Sequence, residues 1–289
     1  EFGLLTEAGA VAFTDGVHVI EDAQVMRRAL AYASTFDALI VEHAEEPRLA
    51  EGGMMNAGET ATRLGLVGIP GEAEAIIVDR DIRLLELTGG RLHFAHISTA
   101  ASIEAIRRAK ANGLNVTCDT APPYFALNEM AVGDYRTFAK LSPPLRHERD
   151  RQAVVAGLAD GVIDVIASDH RPQDEEAKRL PFAEAAFGGT GLETLLPITL
   201  ELVHNGHMKL LEAIALITCK PADLMRLPAG RLAKGAAADL IIFDPDRGWK
   251  VTEDELHSKS KNSPFDGRPV QGRALRSVVD GRSVFETGN

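Results

Sequence analysis

Short apolar runs alternate with stretches of helical spacing from Gly9 to about Leu227. Compact runs of β-branched and aliphatic residues, bounded by turn-forming residues, read as buried strands. Strands are therefore expected at 9–14, 37–43, 91–96, 114–118 and 162–168. Apolar positions spaced three and four apart predict helices at 22–35, 71–88, 99–112, 148–158, 191–205 and 208–218, with a shorter one from Pro221. Asp22 is placed to cap the first of these, and Gly89-Gly90 and Gly113 to stop two others. Repeated βα units predict a parallel sheet with helices outside it, an α/β fold.

The texture changes after Gly230. Residues 239–244, 249–251, 274–280 and 282–286 read as strands, the last two joined through the hairpin signal Asp280-Gly281. The chain thus divides into an α/β part, 1–230, and a small β module, 231–289. Segment 171–190 has no clear periodicity, and a loop of that length beside a candidate site is more often functional than idle. Five strands fall short of the eight that a closed barrel needs. Leu4 to Ala8 also lead straight into the first strand, as though the chain opened in mid-domain, so a segment upstream of Glu1 is expected.

Composition narrows the functional classes. The formal net charge is −11, which disfavours a nucleic-acid partner and means that any anion site must be local. Cys118 and Cys219 make no disulfide framework and read as small buried apolar residues in a reducing compartment. No apolar run is long enough to span a membrane, and Glu1-Phe2-Gly3 does not open a signal peptide, so a cytoplasmic location is expected.

The candidate chemistry sits at strand ends. The run Val162 to Ala167 is followed by Ser168-Asp169-His170, the strand at 37–43 ends at His43, and the strand at 91–96 ends at His96. The carboxyl edge of a parallel sheet is where α/β proteins build their sites. Neutral imidazole and carboxylate are the usual ligands of zinc. These residues are too far apart in sequence for a local metal finger, so they form a site only if the fold gathers the strand ends.

At these residues the chain resembles the amidohydrolase superfamily, and within it the cyclic amidohydrolases, most closely the longer bacterial dihydroorotases. The matching stretches are His43-Ala44-Glu45-Glu46, Gly52 to Glu59, His96-Ile97-Ser98-Thr99, Lys140 to Arg146, Ala167 to His170, and Pro181 to Thr194. Ala238-Asp239-Leu240 and Lys261 to Gly267 extend the match into the tail. The resemblance implies a metal-dependent barrel of the TIM type, N-terminally incomplete here, with a small C-terminal β-sandwich. It implies His43 and His96 as zinc ligands, and Asp169 as the residue that binds metal and shuttles a proton. The implied reaction interconverts dihydroorotate and N-carbamoyl-aspartate in pyrimidine synthesis. Ser142, Arg171, Gln173, Phe187 and Gly188 fall at implied substrate positions.

The departures from the pattern carry information too. The His-x-His pair that opens the family's barrel has no match in this chain. The family's Asp-Asp-Gly appears as Thr14-Asp15-Gly16-Val17, so Asp15 is a candidate ligand and one zinc is expected rather than two. Pro122-Pro123-Tyr124 stands where the family has Pro-His-His, Ser142 where it has asparagine, and Gln173 where it has histidine. Arg171 could offer a cationic fork to a carboxylate or pair with Asp174, Glu175 or Glu176. Beside the small-molecule substrate, a homo-oligomer or a complex with aspartate transcarbamoylase is expected. The competing functions are a degenerate dihydroorotase-like subunit that scaffolds that enzyme, and an allantoinase or hydantoinase.

Overall fold

A computed structural model describes residues 1–287. Its centre is a five-stranded parallel sheet of β1 (Ala12–Thr14), β2 (Leu39–His43), β5 (Arg91–Ala95), β6 (Val116–Thr120) and β7 (Val165–Ile166), in the order β1-β2-β5-β6-β7. Between β2 and β5 lies a two-stranded parallel pair, β3 (Met55–Asn56) and β4 (Gly68–Ile69). Central strands follow one another in sequence order with helices between them, which is how the wall of a (β/α) barrel is built.

The helices against the sheet form where an apolar stripe runs along one face, two of them behind a side-chain cap. The helix Ala23–Ser34 starts at Asp22, whose side chain accepts from the N–H groups of Gln24 and Val25, and it buries Met26, Leu30 and Ala33. The helix Glu72–Thr88 buries Ile77, Val78 and Leu85. The helix Ala100–Ala111 is capped by the Thr99 hydroxyl. These stripes meet Ile40, Leu92, Phe94 and Cys118 of the sheet in one core. Both cysteines are free, Cys118 buried and Cys219 half-buried.

Several boundaries differ from the sequence reading. Residues Phe2–Glu7 form a helix rather than running into the first strand, and Gly9, at φ +101°, turns the chain towards β1. Leu114 closes the preceding helix by donating to Ala109 O, so β6 begins at Val116 and extends to Thr120. The strand expected at 162–168 shrinks to Val165–Ile166, because Asp164 takes the Cys118 N–H on its side chain, 2.8 Å, in place of a ladder bond. The helix expected at 208–218 is confined to Leu210–Ala215. Segment 171–190 carries a short helix, Glu175–Arg179.

The C-terminal part is an antiparallel sheet of β8 (Leu240–Lys250), β9 (Pro269–Val279) and β10 (Arg282–Glu286). The two segments expected at 239–244 and 249–251 are a single strand with an irregularity between Asp244 and Gly248. Asp280 and Gly281 turn the β9–β10 hairpin at φ +49° and +72°, the positive pair that a type I′ turn requires. This sheet rests on the helix Leu192–His204, where Arg268 pairs with Glu201 at 2.7 Å. Among the described residues no helix is long and apolar enough to cross a membrane.

Candidate active site

Parallel register decides where the strand ends point. His43 on β2 is the partner of Ala95 on β5, so His96 stands one residue beyond the same edge. Asp169 follows β7 by three residues, and both His96 and Asp169 adopt positive φ, +60° and +44°. Non-glycine residues held there are uncommon and mark a turn fixed by its surroundings. The three residues meet. The His43 and His96 ring centroids are 6.4 Å apart, and His96 Nε2 lies 3.6 Å from Asp169 Oδ1.

Behind His96 sits a carboxylate that strand spacing had left out. Asp119, near the end of β6, accepts from the His96 backbone N–H through Oδ1 at 2.8 Å. The same oxygen lies 3.0 Å from His96 Nδ1, and Oδ2 lies 2.9 Å from His93 Nε2. Thr117 holds the other His93 nitrogen at 2.8 Å. Asp119 is therefore clamped from two sides and faces His96 Nδ1. His96 Nδ1 lies against this carboxylate without making a hydrogen bond to it, and Nε2 is the nitrogen turned towards Asp169, the side from which a carboxylate-backed imidazole can bind metal.

The electrostatics of the two rings are opposite. Burial, followed by the charges of His96 and Arg171, pushes His43 down to about 4, so it is a neutral ring at pH 7. Burial also works against charge on His96, but the Asp119 carboxylate and then Asp169 outweigh it and raise the ring to about 9. Asp119 would itself be raised by burial, yet His96 and His93 hold it well below the usual carboxylate range. Asp169 is raised, by burial first and by the Asp119 charge. The two carboxylates beside His96 thus favour positive charge on its ring.

Imidazole and carboxylate are donors that a zinc site uses. With zinc–ligand bonds near 2.0–2.1 Å, neighbouring donors stand about 3.4 Å apart in a tetrahedral site. The 3.6 Å between His96 Nε2 and Asp169 Oδ1 matches that spacing. Among the described residues, no group of three or more His, Cys, Asp and Glu is gathered closely enough to hold a metal ion by itself. His96 and Asp169 therefore stand at the spacing of two ligands, with the His43 ring beside them, its centroid 6.4 Å from that of His96.

Other predicted residues fall around them. Ser142 Oγ lies 3.3 Å from His43 Nε2. Arg171 lies beside the cluster, and its charge acts on both His43 and Asp169. Among the described residues it makes no ion pair with Asp174, Glu175 or Glu176. The Gln173 side chain turns back to donate to Arg171 O at 3.4 Å. The Phe187 ring packs under the Lys140 ammonium at 4.7 Å. Gly188 has φ +114°, and a Cβ there would stand 2.6 Å from Arg171 O, so only glycine lets the loop close on Arg171. Asp15 is exposed in the turn after β1, where the Thr14 hydroxyl accepts from Gly16 N–H.

Gly191 supports the Asp169 turn from below. A Cβ there would lie 2.0 Å from Ser168 O, and its N–H donates to His170 Nδ1 at 3.1 Å. Gly191→Ala must displace backbone at residues 168–170, and we expect it to cost about 1–3 kcal/mol in chemical unfolding. An unchanged unfolding midpoint would contradict this packing.

Comparison with known proteins agrees with the geometry. A dihydroorotase from Anaplasma phagocytophilum is 48% identical over 282 residues, 97% of this chain and 63% of that protein. A dihydroorotase from Syntrophotalea carbinolica is 47% identical over 285 residues, 99% of this chain and 67% of that protein. The chain thus spans about two thirds of the length of the curated relatives it matches. The solved L-hydantoinase (dihydropyrimidinase) from Arthrobacter aurescens superposes with a TM-score of 0.88 at 28% identity, covering 100% of this chain and 68% of that one. With this likeness the fold is a TIM-type barrel with a C-terminal antiparallel sheet. The amidohydrolase family model matches residues 2–284, nearly the whole chain, and the chain belongs to that family.

Proposed function

We propose that this chain carries the acid–base carboxylate and part of the zinc site of a dihydroorotase. The observation that carries this reading is the convergence of His43, His96 and Asp169 at one sheet edge, with Asp119 orienting His96. The names of relatives at 45–48% identity support the choice of substrate. In this reading the barrel part is 1–230, the sandwich part is 231–289, one zinc is held rather than two, and pyrimidine synthesis places the protein in the cytoplasm.

Zinc, when bound, supplies Lewis acidity that lowers the pKa of water to about 7 and polarises a carbonyl. The chain supplies the rest. His43, neutral at pH 7, is held ready as a nitrogen donor, and His96, with Asp119 behind it, would serve as a second once its ring proton is lost. The Asp169 carboxylate accepts the proton of the attacking water and delivers it to the ring nitrogen as the carbonyl C–N bond breaks. Ring closure runs the same transfers in reverse. Burial, which raises Asp169, keeps its affinity for that proton closer to what a shuttle requires.

Arg171 accounts for the choice of ring. Dihydroorotate carries a carboxylate that dihydrouracil and hydantoin lack, and Arg171 is a guanidinium without an ion-pair partner among the described residues, beside Asp169. Arg171→Met is expected to raise KM for dihydroorotate about 10- to 100-fold, the worth of a charge-assisted hydrogen bond, with a smaller change in kcat. Steady-state kinetics on dihydroorotate and dihydrouracil tests both points. Preference for dihydrouracil in the unaltered protein, or an unchanged KM in the variant, would contradict the assignment.

A further inference from the structure

The Asp169 carboxylate has two chemically equivalent oxygens, and the transfer described above needs one of them held on the reacting side. Oδ1 lies 3.6 Å from His96 Nε2. Oδ2 lies 3.3 Å from the hydroxyl of Tyr124. Tyr124 is one of the places where this chain departs from the family's Pro-His-His, and nothing in the chemistry above uses it.

Tyr124 is rigidly placed. It sits in the short helix Pro122–Ala126, whose first turn is set by Pro122 and Pro123 directly after β6. Its N–H donates to Ala121 O at 3.0 Å. The side chain is 3% exposed and packs with Met55, Leu141, Leu145 and Phe182. The ring is thus an apolar wedge whose only polar atom, the hydroxyl, emerges at Asp169. A buried tyrosine hydroxyl needs a partner, and this one has two acceptors within reach, Asp169 Oδ2 and Pro143 O at 3.1 Å. It has a single proton to donate. Pro143 O is the nearer acceptor by 0.2 Å, while the contact to Asp169 is charge-assisted when that carboxylate is ionised, so the hydroxyl can serve either.

We propose that Tyr124 is a positioning residue that holds Asp169 through Oδ2, so that Oδ1 stays turned towards His96 and the reacting atoms. The inference rests on the reading of Asp169 as the proton-transferring carboxylate. Tyr124 touches no substrate; it acts by denying Asp169 the rotation that would exchange its oxygens.

Three variants, purified with zinc, test this. Tyr124→Phe keeps the wedge and removes the donor, Tyr124→His loses the shape and restores a donor, and Asp169→Ala checks the reading beneath. Tyr124→Phe is expected to lower kcat on dihydroorotate about tenfold with KM within about twofold, as loss of one charge-assisted hydrogen bond predicts. Its zinc affinity, read by competition with a chromophoric chelator, is expected to weaken by about three- to tenfold, a small loss of ligand orientation. Tyr124→His is expected to recover part of both. Wild-type kcat and zinc affinity in Tyr124→Phe, with activity abolished in Asp169→Ala, would overturn the role of Tyr124 alone. Full activity in Asp169→Ala would overturn both readings. A Tyr124→Phe protein with wild-type kcat and zinc affinity beside a folded but impaired Tyr124→His protein would reduce Tyr124 to packing. If that variant does not fold, Tyr124→Phe decides by itself.

Discussion

Asp169→Ala is expected to abolish turnover, lowering kcat for dihydroorotate by about 10²–10⁴-fold, the usual worth of a positioned acid–base group. The residue has no substitute nearby. Asp119 is committed to His96 and His93 and is held ionised by both, so it cannot take over as a shuttle. Ser142 and Tyr124 are hydroxyls whose proton affinity is far too low. The variant also loses an oxygen placed at ligand spacing from His96 Nε2, so zinc affinity is expected to fall with activity. Asp169→Asn separates the two effects. It keeps the size of the side chain and one oxygen, but it cannot accept a proton at pH 7. A kcat as low as that of the alanine variant, with better retention of zinc, is the expected result. Turnover by either variant within tenfold of the unaltered protein would contradict the assignment.

The second large effect concerns stability. Glu74 is 1% exposed on the helix Glu72–Thr88 and organises the turn that follows His96. It accepts from Ser98 Oγ at 2.5 Å, Thr99 N at 3.0 Å and Thr99 Oγ1 at 2.8 Å, and its Oε1 and Oε2 lie 3.2 and 3.1 Å from Ser98 N. Arg146 approaches from the other side, its Nη2 3.9 Å from the same carboxylate. Arg146 also donates to Ser98 Oγ at 3.1 Å, Asn56 Oδ1 at 3.2 Å and Ile69 O at 3.0 Å. Glu74→Ala would leave a guanidinium, itself 4% exposed, without its counter-charge and would orphan the Ser98 and Thr99 N–H groups. Removing one partner of a buried pair costs about 3–5 kcal/mol, and that loss is expected in urea unfolding. Glu74→Gln should recover part of it, because an amide oxygen can still accept. A loss below about 1 kcal/mol for the alanine variant would mean that the network is not what holds this turn.

The residues that could be placed from sequence are those whose signal is local. Short apolar runs leading to His43, His96 and Asp169 announce strand ends, and parallel register does the gathering. The helix Ala23–Ser34 was readable for the same reason, since its cap and its stripe lie within one segment. What stayed hidden acts across elements. Asp119 is hidden because the apolar run stops at Cys118, two residues short of the strand's end at Thr120; a carboxylate beside a strand end is the available clue. Glu74 looks like an ordinary helical acid, and only the approach of Arg146 and of the turn after His96 gives it a task. Tyr124 was visible as a departure from the family pattern, but its reach to Asp169 depends on how the helix Pro122–Ala126 seats it. The pair β3–β4, two residues on each strand, is too short to leave any periodicity.

The most direct test of the whole account is dihydroorotate turnover by one sample measured three times: as purified with zinc, after removal of metal by a chelator, and after zinc is returned. The account predicts turnover, its loss, and its recovery. No turnover by zinc-bearing protein, or turnover that survives complete removal of metal, would contradict it.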